Sequence, residues 1–185
     1  AVPTEQVDLR ATAQFTDEFR RVNSDCVVPY LVLDDGTGIA ESMAICRYFE
    51  ALHPLPPLFG TTPVEQAIVE MWNRRIEFDG YLAVAEGFRN ATPGFKGRAL
   101  PGPVGFEQIE ALAERGRRRL GLFFEQLNAR FATSEYVAGP AYTVADITAL
   151  ATVDFAGWMR MQPGEQHPHL RRWHAQVSAR PSAQA

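Results

Sequence analysis

Two short pairs of residues, Val28-Pro29 and Glu41-Ser42, have the types needed to hold a small acidic ligand and lie close together in the chain. Ser42 stands at the head of a helix expected to run to about Leu52, where a serine hydroxyl caps the first turn and the leading backbone N–H groups have no partner inside the helix. A helix start of that kind, set beside a backbone fixed by proline, accepts a carboxylate. Pro29 has no N–H to give to a ladder, so it opens the strand Tyr30 to Leu33 and does not sit inside one. Asp34 to Gly38 is a run of turn formers, with Gly36 free to take a positive φ, and it leads back into a short strand at Ile39-Ala40. The candidate ligand-holding residues therefore flank a single hairpin.

Other reactive side chains point less sharply. Cys26, three residues before Pro29, is either a small side chain packed in a loop or a thiol at the mouth of that corner. His53, His167, His169 and His174 have no cysteine or acid partner at metal-ligand spacing, and no metal is expected. There is no redox Cys-x-x-Cys and no glycine-rich phosphate loop. The acidic pairs Asp34-Asp35 and Glu110/Glu114 read as turn and surface groups, not as a glycosidase pair.

Composition narrows the class. A formal net charge of −4 argues against a nucleic-acid surface, and the basic run Arg115 to Arg119 reads as a solvated helix face. No apolar run approaches the roughly 18 residues of a membrane span, and the chain does not open on a signal-peptide pattern. Two cysteines make no disulfide framework, so a reducing cytoplasm is the expectation.

These residues must be positioned by the elements around them. Thr4 to Leu9 alternates like a strand, and Thr12 to Val22 reads as a short helix. The helix after Ser42 sets Met43, Ile45 or Cys46, and Phe49 against a sheet. Pro54, Pro56 and Pro57 then make a stiff linker. Thr62-Pro63-Val64-Glu65 is a capping box, opening a helix to about Asn90 with Ile68, Met71, Trp72, Ile76 and Leu82 near a helical period. A second long helix is expected from Val104 to Ala132. Thr143 and Asp146 open an apolar helix with small residues on every side, which must be central. Asp154 meets either a polar neighbour in the bundle or a cleft between domains. A last helix carries Leu170, Trp173 and Val177, ahead of a frayed tail at Ser182 to Ala185.

The Val28-Pro29 and Glu41-Ser42 pairs around one hairpin, with a long helical remainder, resemble the cytosolic glutathione transferase family, of the bacterial type. The resemblance implies an α/β thioredoxin-like N-terminal domain, incomplete in this chain, over residues 1–55, a linker at 56–61 and an all-α helical-bundle domain over 62–185. It implies a cis Val28-Pro29 bond, Val28 backbone groups on the cysteinyl part of glutathione, and Glu41 and Ser42 on its γ-glutamyl end. Thr143 and Asp146 resemble the family's structural cap on its core helix. The family's first strand and first helix have no counterpart here, and with them goes the residue that activates the thiol. No catalytic residue is named for that reason.

By the same resemblance, glutathione is the co-substrate and a small hydrophobic electrophile the acceptor, in a detoxifying conjugation between the two domains. Trp72, Arg75, Asp79 and Leu82 are the expected acceptor lining, although Trp72 reads equally well as core. A homodimer is expected, and no nucleic-acid or membrane partner. The alternatives are a non-catalytic binding or scaffold protein of the same fold, or a glutathione-dependent peroxidase or isomerase.

Overall fold

The computed structural model describes residues 2–184. The hairpin forms where the turn residues require it. Strand β1 (Tyr30–Val32) pairs antiparallel with β2 (Gly38–Ala40), with Tyr30 opposite Ala40 and Val32 opposite Gly38. Gly36 takes φ 86°, and Asp35 Oδ1 accepts the Thr37 N–H at 2.8 Å. The Val28-Pro29 peptide bond is cis, as is Leu55-Pro56.

Upstream of the hairpin the sequence expectations need correction. Residues 4–9 are not a strand: β1 and β2 make a two-stranded sheet, and the alternating segment has no ladder partner, without which extended backbone is not a strand. The helix expected over Thr12 to Val22 is a 3₁₀ turn at Ala13–Phe15 and then α1 (Asp17–Val22). It is broken at Thr16, whose Oγ1 accepts the Phe19 N–H at 3.2 Å. A threonine hydroxyl placed there caps the next turn in preference to continuing the helix.

Helix α2 (Ser42–Leu52) comes directly after the hairpin. None of its residues is fully buried, so Met43, Ile45, Cys46 and Phe49 do not form the core expected of them; two short strands present too little surface to cover a helix. Instead α2 is tied to the chain between residues 58 and 70. Glu50 accepts the Leu58 and Phe59 N–H groups, each at 3.0 Å. Arg47 bonds Glu70 at 2.6 Å and lies over the Phe59 ring. Met43 packs with Phe59, Val69 and Val144 in a small second core.

Helix α3 (Pro63–Arg75) opens on the expected capping box of Thr62 and Glu65. It does not run straight to Asn90, because a π turn at Ile76–Tyr81 separates it from α4 (Leu82–Ala91). Its buried face is only partly the expected one: Ile76 is buried and Trp72 packs against the core, but Val69, Asn73, Gly80, Ala83, Val84 and Gly87 also point inward, while Ile68, Met71 and Leu82 are exposed. Ala83 and Gly87 on that face let α5 (Glu110–Phe131) come very close. A Cβ on Gly116 would lie 2.5 Å from the Gly87 nitrogen. The start of α5 is six residues later than expected, since residues 104–109 lie outside any helix and Arg98 forms a bridge with Phe106.

Helices α6 (Val144–Gly157) and α7 (Pro168–Ser178) complete the bundle. The main core joins Ile76, Ala83 and Val84 to Leu120, Phe123, Phe124, Leu127 and Phe131 of α5. It continues through Ala149, Val153 and Ala156 of α6 to Leu170, Trp173 and Val177 of α7. Trp173 stacks on Phe131 with ring centroids 4.6 Å apart. Helix α6 is central, as its small apolar residues require. After α7, Pro181–Ala183 forms a 3₁₀ turn where fraying was expected; Ala185 lies outside the described residues.

Candidate functional site

The geometry of the hairpin brings the first pair of candidates to the second. Tyr30 faces Ala40 at the last rung of the ladder, so Pro29 and Glu41 both adjoin that rung, with Val28 and Ser42 one residue further out. Val28, Glu41 and Ser42 are exposed there. One local expectation changes. Glu41, not Ser42, is the N-cap of α2, at φ 68° and ψ 120°, and Ser42 is the first residue of the helix. Because the cap residue bends into the left-handed region, its carboxylate does not fold back on the helix, and no side chain among the described residues caps α2. The first intrahelical bond runs from Ile45 N–H to the Glu41 carbonyl, which leaves the leading N–H groups of the helix to other partners.

Asn23 positions the other half of the corner, and sequence reasoning missed it. Buried just past the end of α1, it donates from Nδ2 to the Val27 carbonyl at 2.8 Å and accepts the Asp25 N–H on Oδ1 at 3.0 Å. An Asn immediately after a helix and before Ser-Asp is the signal that could have pointed to it, because such a side chain folds onto its own backbone. Cys26 sits inside this loop at φ 56°, buried, its thiol 3.5 Å from the Ser24 carbonyl. It is packed, as the simpler of its two readings has it.

Three of the four expected acceptor residues converge. Trp72, Arg75 and Asp79 line a cavity of about 410 Å³ floored by Ile76, Phe123 and Leu127. Trp72 is held between two guanidinium groups, Arg75 at 5.1 Å and Arg130 at 4.9 Å from its ring centroid. All of these residues belong to helices of the bundle and none to the hairpin. Leu82 is not among them.

The remaining polar groups are engaged within the bundle. Asp154 pairs with His174 of α7 at 2.7 Å, the bundle neighbour weighed for it. His167 Nδ1 accepts the Gly164 N–H, so its Nε2 carries the proton that faces Glu125 at 3.2 Å. Arg115 and Arg119 of the basic run pair with Glu86. Among the described residues no three His, Cys, Asp or Glu side chains gather to hold a metal ion, and no helix is long and apolar enough to cross a membrane.

The model of the glutathione S-transferase N-terminal domain matches residues 2–52, and that of the C-terminal domain matches residues 84–181. The chain belongs to the glutathione S-transferase family. It is 36% identical over 166 residues to glutathione S-transferase 2 of Saccharomyces cerevisiae, covering 89% of this chain and 69% of that protein. The crystal structure of Gtt2 from Saccharomyces cerevisiae superposes with a TM-score of 0.86 at 34% identity, over 97% of this chain and 84% of that one. A probable elongation factor 1-gamma 1 from Arabidopsis thaliana is 28% identical over 186 residues, and there the match covers 96% of this chain but 42% of the relative. The family assignment carries the fold with it: a small N-terminal sheet unit followed by a helical domain.

Proposed function

We propose that this enzyme binds glutathione at the corner formed by Val28, Pro29, Glu41 and Ser42 and transfers its thiolate to a small hydrophobic electrophile. The observation that carries the reading is the uncapped start of α2, adjoining Pro29 across the Tyr30–Ala40 rung. Its leading N–H groups and the Ser42 hydroxyl offer donors to the glutamyl carboxylate of a tripeptide, while the Glu41 carboxylate offers an acceptor to its ammonium. The exposed Val28 backbone, ahead of the cis bond to Pro29, offers its polar groups to the peptide middle. In the transfer the sulfur gives its electron pair to an electrophilic carbon, the new C–S bond forms as the leaving group departs with its own pair, and the thiol proton passes to solvent. A free thiol has a pKa of about 8.5, so binding that favours the thiolate raises the attacking species at neutral pH. The residue that performs this activation is not assigned.

The reading includes a division into a glutathione-binding unit at 1–55 and a helical domain at 62–185, a cytoplasmic location and a homodimer. Trp72, Arg75 and Asp79 are the part of the expected acceptor lining that shares one cavity. Retention on immobilised glutathione, followed by calorimetry, tests the core of the proposal. Ser42→Ala is expected to weaken binding by about 1–2 kcal/mol, or about five- to thirtyfold. A wild-type chain that passes through the column unretarded refutes it, and unchanged affinity in the variant removes Ser42 from the site. The likeness to elongation factor 1-gamma favours one second reading, a glutathione-transferase fold kept for assembly. That reading requires retention without conjugation of any electrophile in a substrate screen.

A further inference from the structure

Helix α2 is held differently at its two ends, and the difference bears on the corner it opens from. Its later turns are fastened near the surface, through Arg47 to Glu70 and through Glu50 to the Leu58 and Phe59 N–H groups. In its first turn Met43 is the side chain that reaches the bundle. It packs with Phe59, Val69 and Val144, and its sulfur lies 3.9 Å from the Thr148 hydroxyl of α6. Met43 also carries one of the leading backbone N–H groups, because the first bond inside the helix is the one that Ile45 donates. The residue whose main chain faces the proposed ligand is therefore the one whose side chain is anchored in the helical domain.

The anchor is itself fixed by a polar chain. Thr148 Oγ1 donates to Asn73 Oδ1 of α3 at 2.7 Å, and Asn73 is 2% exposed. Asn73 Nδ2 donates to Glu77 Oε1 at 3.1 Å, and the other Glu77 oxygen pairs with Arg74 at 2.5 Å. A carboxylate only accepts, so Glu77 takes the amide NH₂ and turns the amide oxygen towards Thr148, which sets the direction of the hydroxyl proton. Glu77 belongs to the π turn, a feature that recurs at functional sites. Stability alone does not call for such a pair, since apolar groups of the same shape fill a core as well. What a satisfied buried amide adds is a unique arrangement of its neighbours.

We infer that Asn73 and Thr148 are positioning residues for glutathione: through Met43 they set where the open first turn of α2 stands, so the helical bundle governs the affinity of a corner built on the hairpin. This rests on the proposed glutathione site and adds to it the residues outside the hairpin that preorganise it. A ligand that meets donors already in place loses less free energy to ordering them. Without its hold on Met43 the first turn is free to shift, because no residue of α2 is fully buried.

Glutathione itself is the probe, with affinity read by calorimetry and stability by urea unfolding of the same samples. Thr148→Val keeps the shape and removes the hydroxyl; it is expected to weaken binding about fivefold, and Thr148→Ser to recover most of that loss. Val177→Ala opens a cavity in the main core on α7, outside the small core that holds Met43, and is expected to lower stability at least as much while leaving affinity unchanged. Met43→Ala leaves the Asn73–Thr148 pair intact and is expected to weaken binding about tenfold. In that background Thr148→Val is expected to have no further effect, since residues acting through one contact are not additive. Unchanged affinity in Thr148→Val, an equal loss in Val177→Ala, or the full loss persisting in the Met43→Ala background overturns the inference and leaves the glutathione site standing. A wild-type chain that does not bind glutathione overturns the glutathione reading itself, and the positioning role falls with it.

Discussion

Asp146 shows how much one side chain carries in this bundle. It is fully buried and accepts four hydrogen bonds: from Val137 N–H at 2.9 Å, Thr143 N–H at 3.0 Å, Thr143 Oγ1 at 3.2 Å and Trp173 Nε1 at 2.9 Å. Burial pushes its carboxyl up, against the donors, which favour the ionised form. Its work is to join the start of α6 to the loop before it and to α7. Asp146→Ala strands three buried N–H donors and is expected to cost on the order of 3–5 kcal/mol in urea unfolding; a loss below about 1 kcal/mol would contradict this role. Glu65 gives a pH-dependent counterpart at the surface. The Thr61 hydroxyl, then the Thr61 and Thr62 N–H groups, hold its carboxyl below the usual glutamate range. A lowered folded pKa means that its contribution is present above about pH 4.3 and lost as pH falls through the folded value. Thermal melts between pH 3 and 6 are expected to show that acid-side loss in the wild type and less of it in Glu65→Gln; parallel curves would rule it out. Both residues were readable as helix-opening partners from Thr-x-x-Glu and Thr-x-x-Asp spacing. The Trp173 and Val137 contacts were not, since they join segments far apart or looped in the chain.

At the scale of elements, the decisive feature is the close approach of α4 and α5. A Cβ on Gly116 would meet the Gly87 nitrogen at 2.5 Å and the Ala83 carbonyl at 2.6 Å, and backbone cannot yield as a side chain end can. Gly116→Ala is expected to cost about 2 kcal/mol despite the better helix propensity of alanine, lowering Tm by about 4–8 °C. Gly121 on the same helix has open space at its Cβ, and Gly121→Ala is expected to be neutral or stabilising by up to about 1 kcal/mol. Equal effects from the two substitutions would mean that packing against α4 does not matter. This approach also explains why the apolar period misled. Counting large apolar residues selected Ile76 and Trp72 correctly but also Ile68, Met71 and Leu82, which are exposed, and passed over Gly80, Ala83 and Gly87, whose small size lets α5 approach. The π turn before α4 left no mark either; within it, Gly80 lies where a Cβ would run into the Phe123 ring.

For the whole molecule, the exposed apolar row left by that arrangement has a consequence. Val64, Ile68, Met71, Phe78 and Leu82 are spaced three, four or seven apart along α3 to α4 and are between 38% and 69% exposed. The proposed homodimer would cover such a row. Sedimentation at micromolar concentration is expected to give a dimer in the wild type and a shift to monomer in the double variant Ile68→Asp, Met71→Asp. A monomeric wild type refutes the dimer.

What the sequence determined by itself is what depends on neighbours within a few residues. Pro29 opening a strand, Gly36 in the turn and the capping residues at Thr62 and Thr143 are all local, so they were legible without any partner. The pairing of Val28-Pro29 with Glu41-Ser42 was also legible, because one hairpin joins them. Tertiary structure alone decided which face of α3 and α4 is buried, that Asp146 reaches Trp173 of α7, and that the five aromatic rings of Tyr81, Phe88, Phe95, Phe155 and Trp158 meet. Each of these depends on contacts between segments distant in the chain, whose energy is absent from any local pattern until the helices have packed.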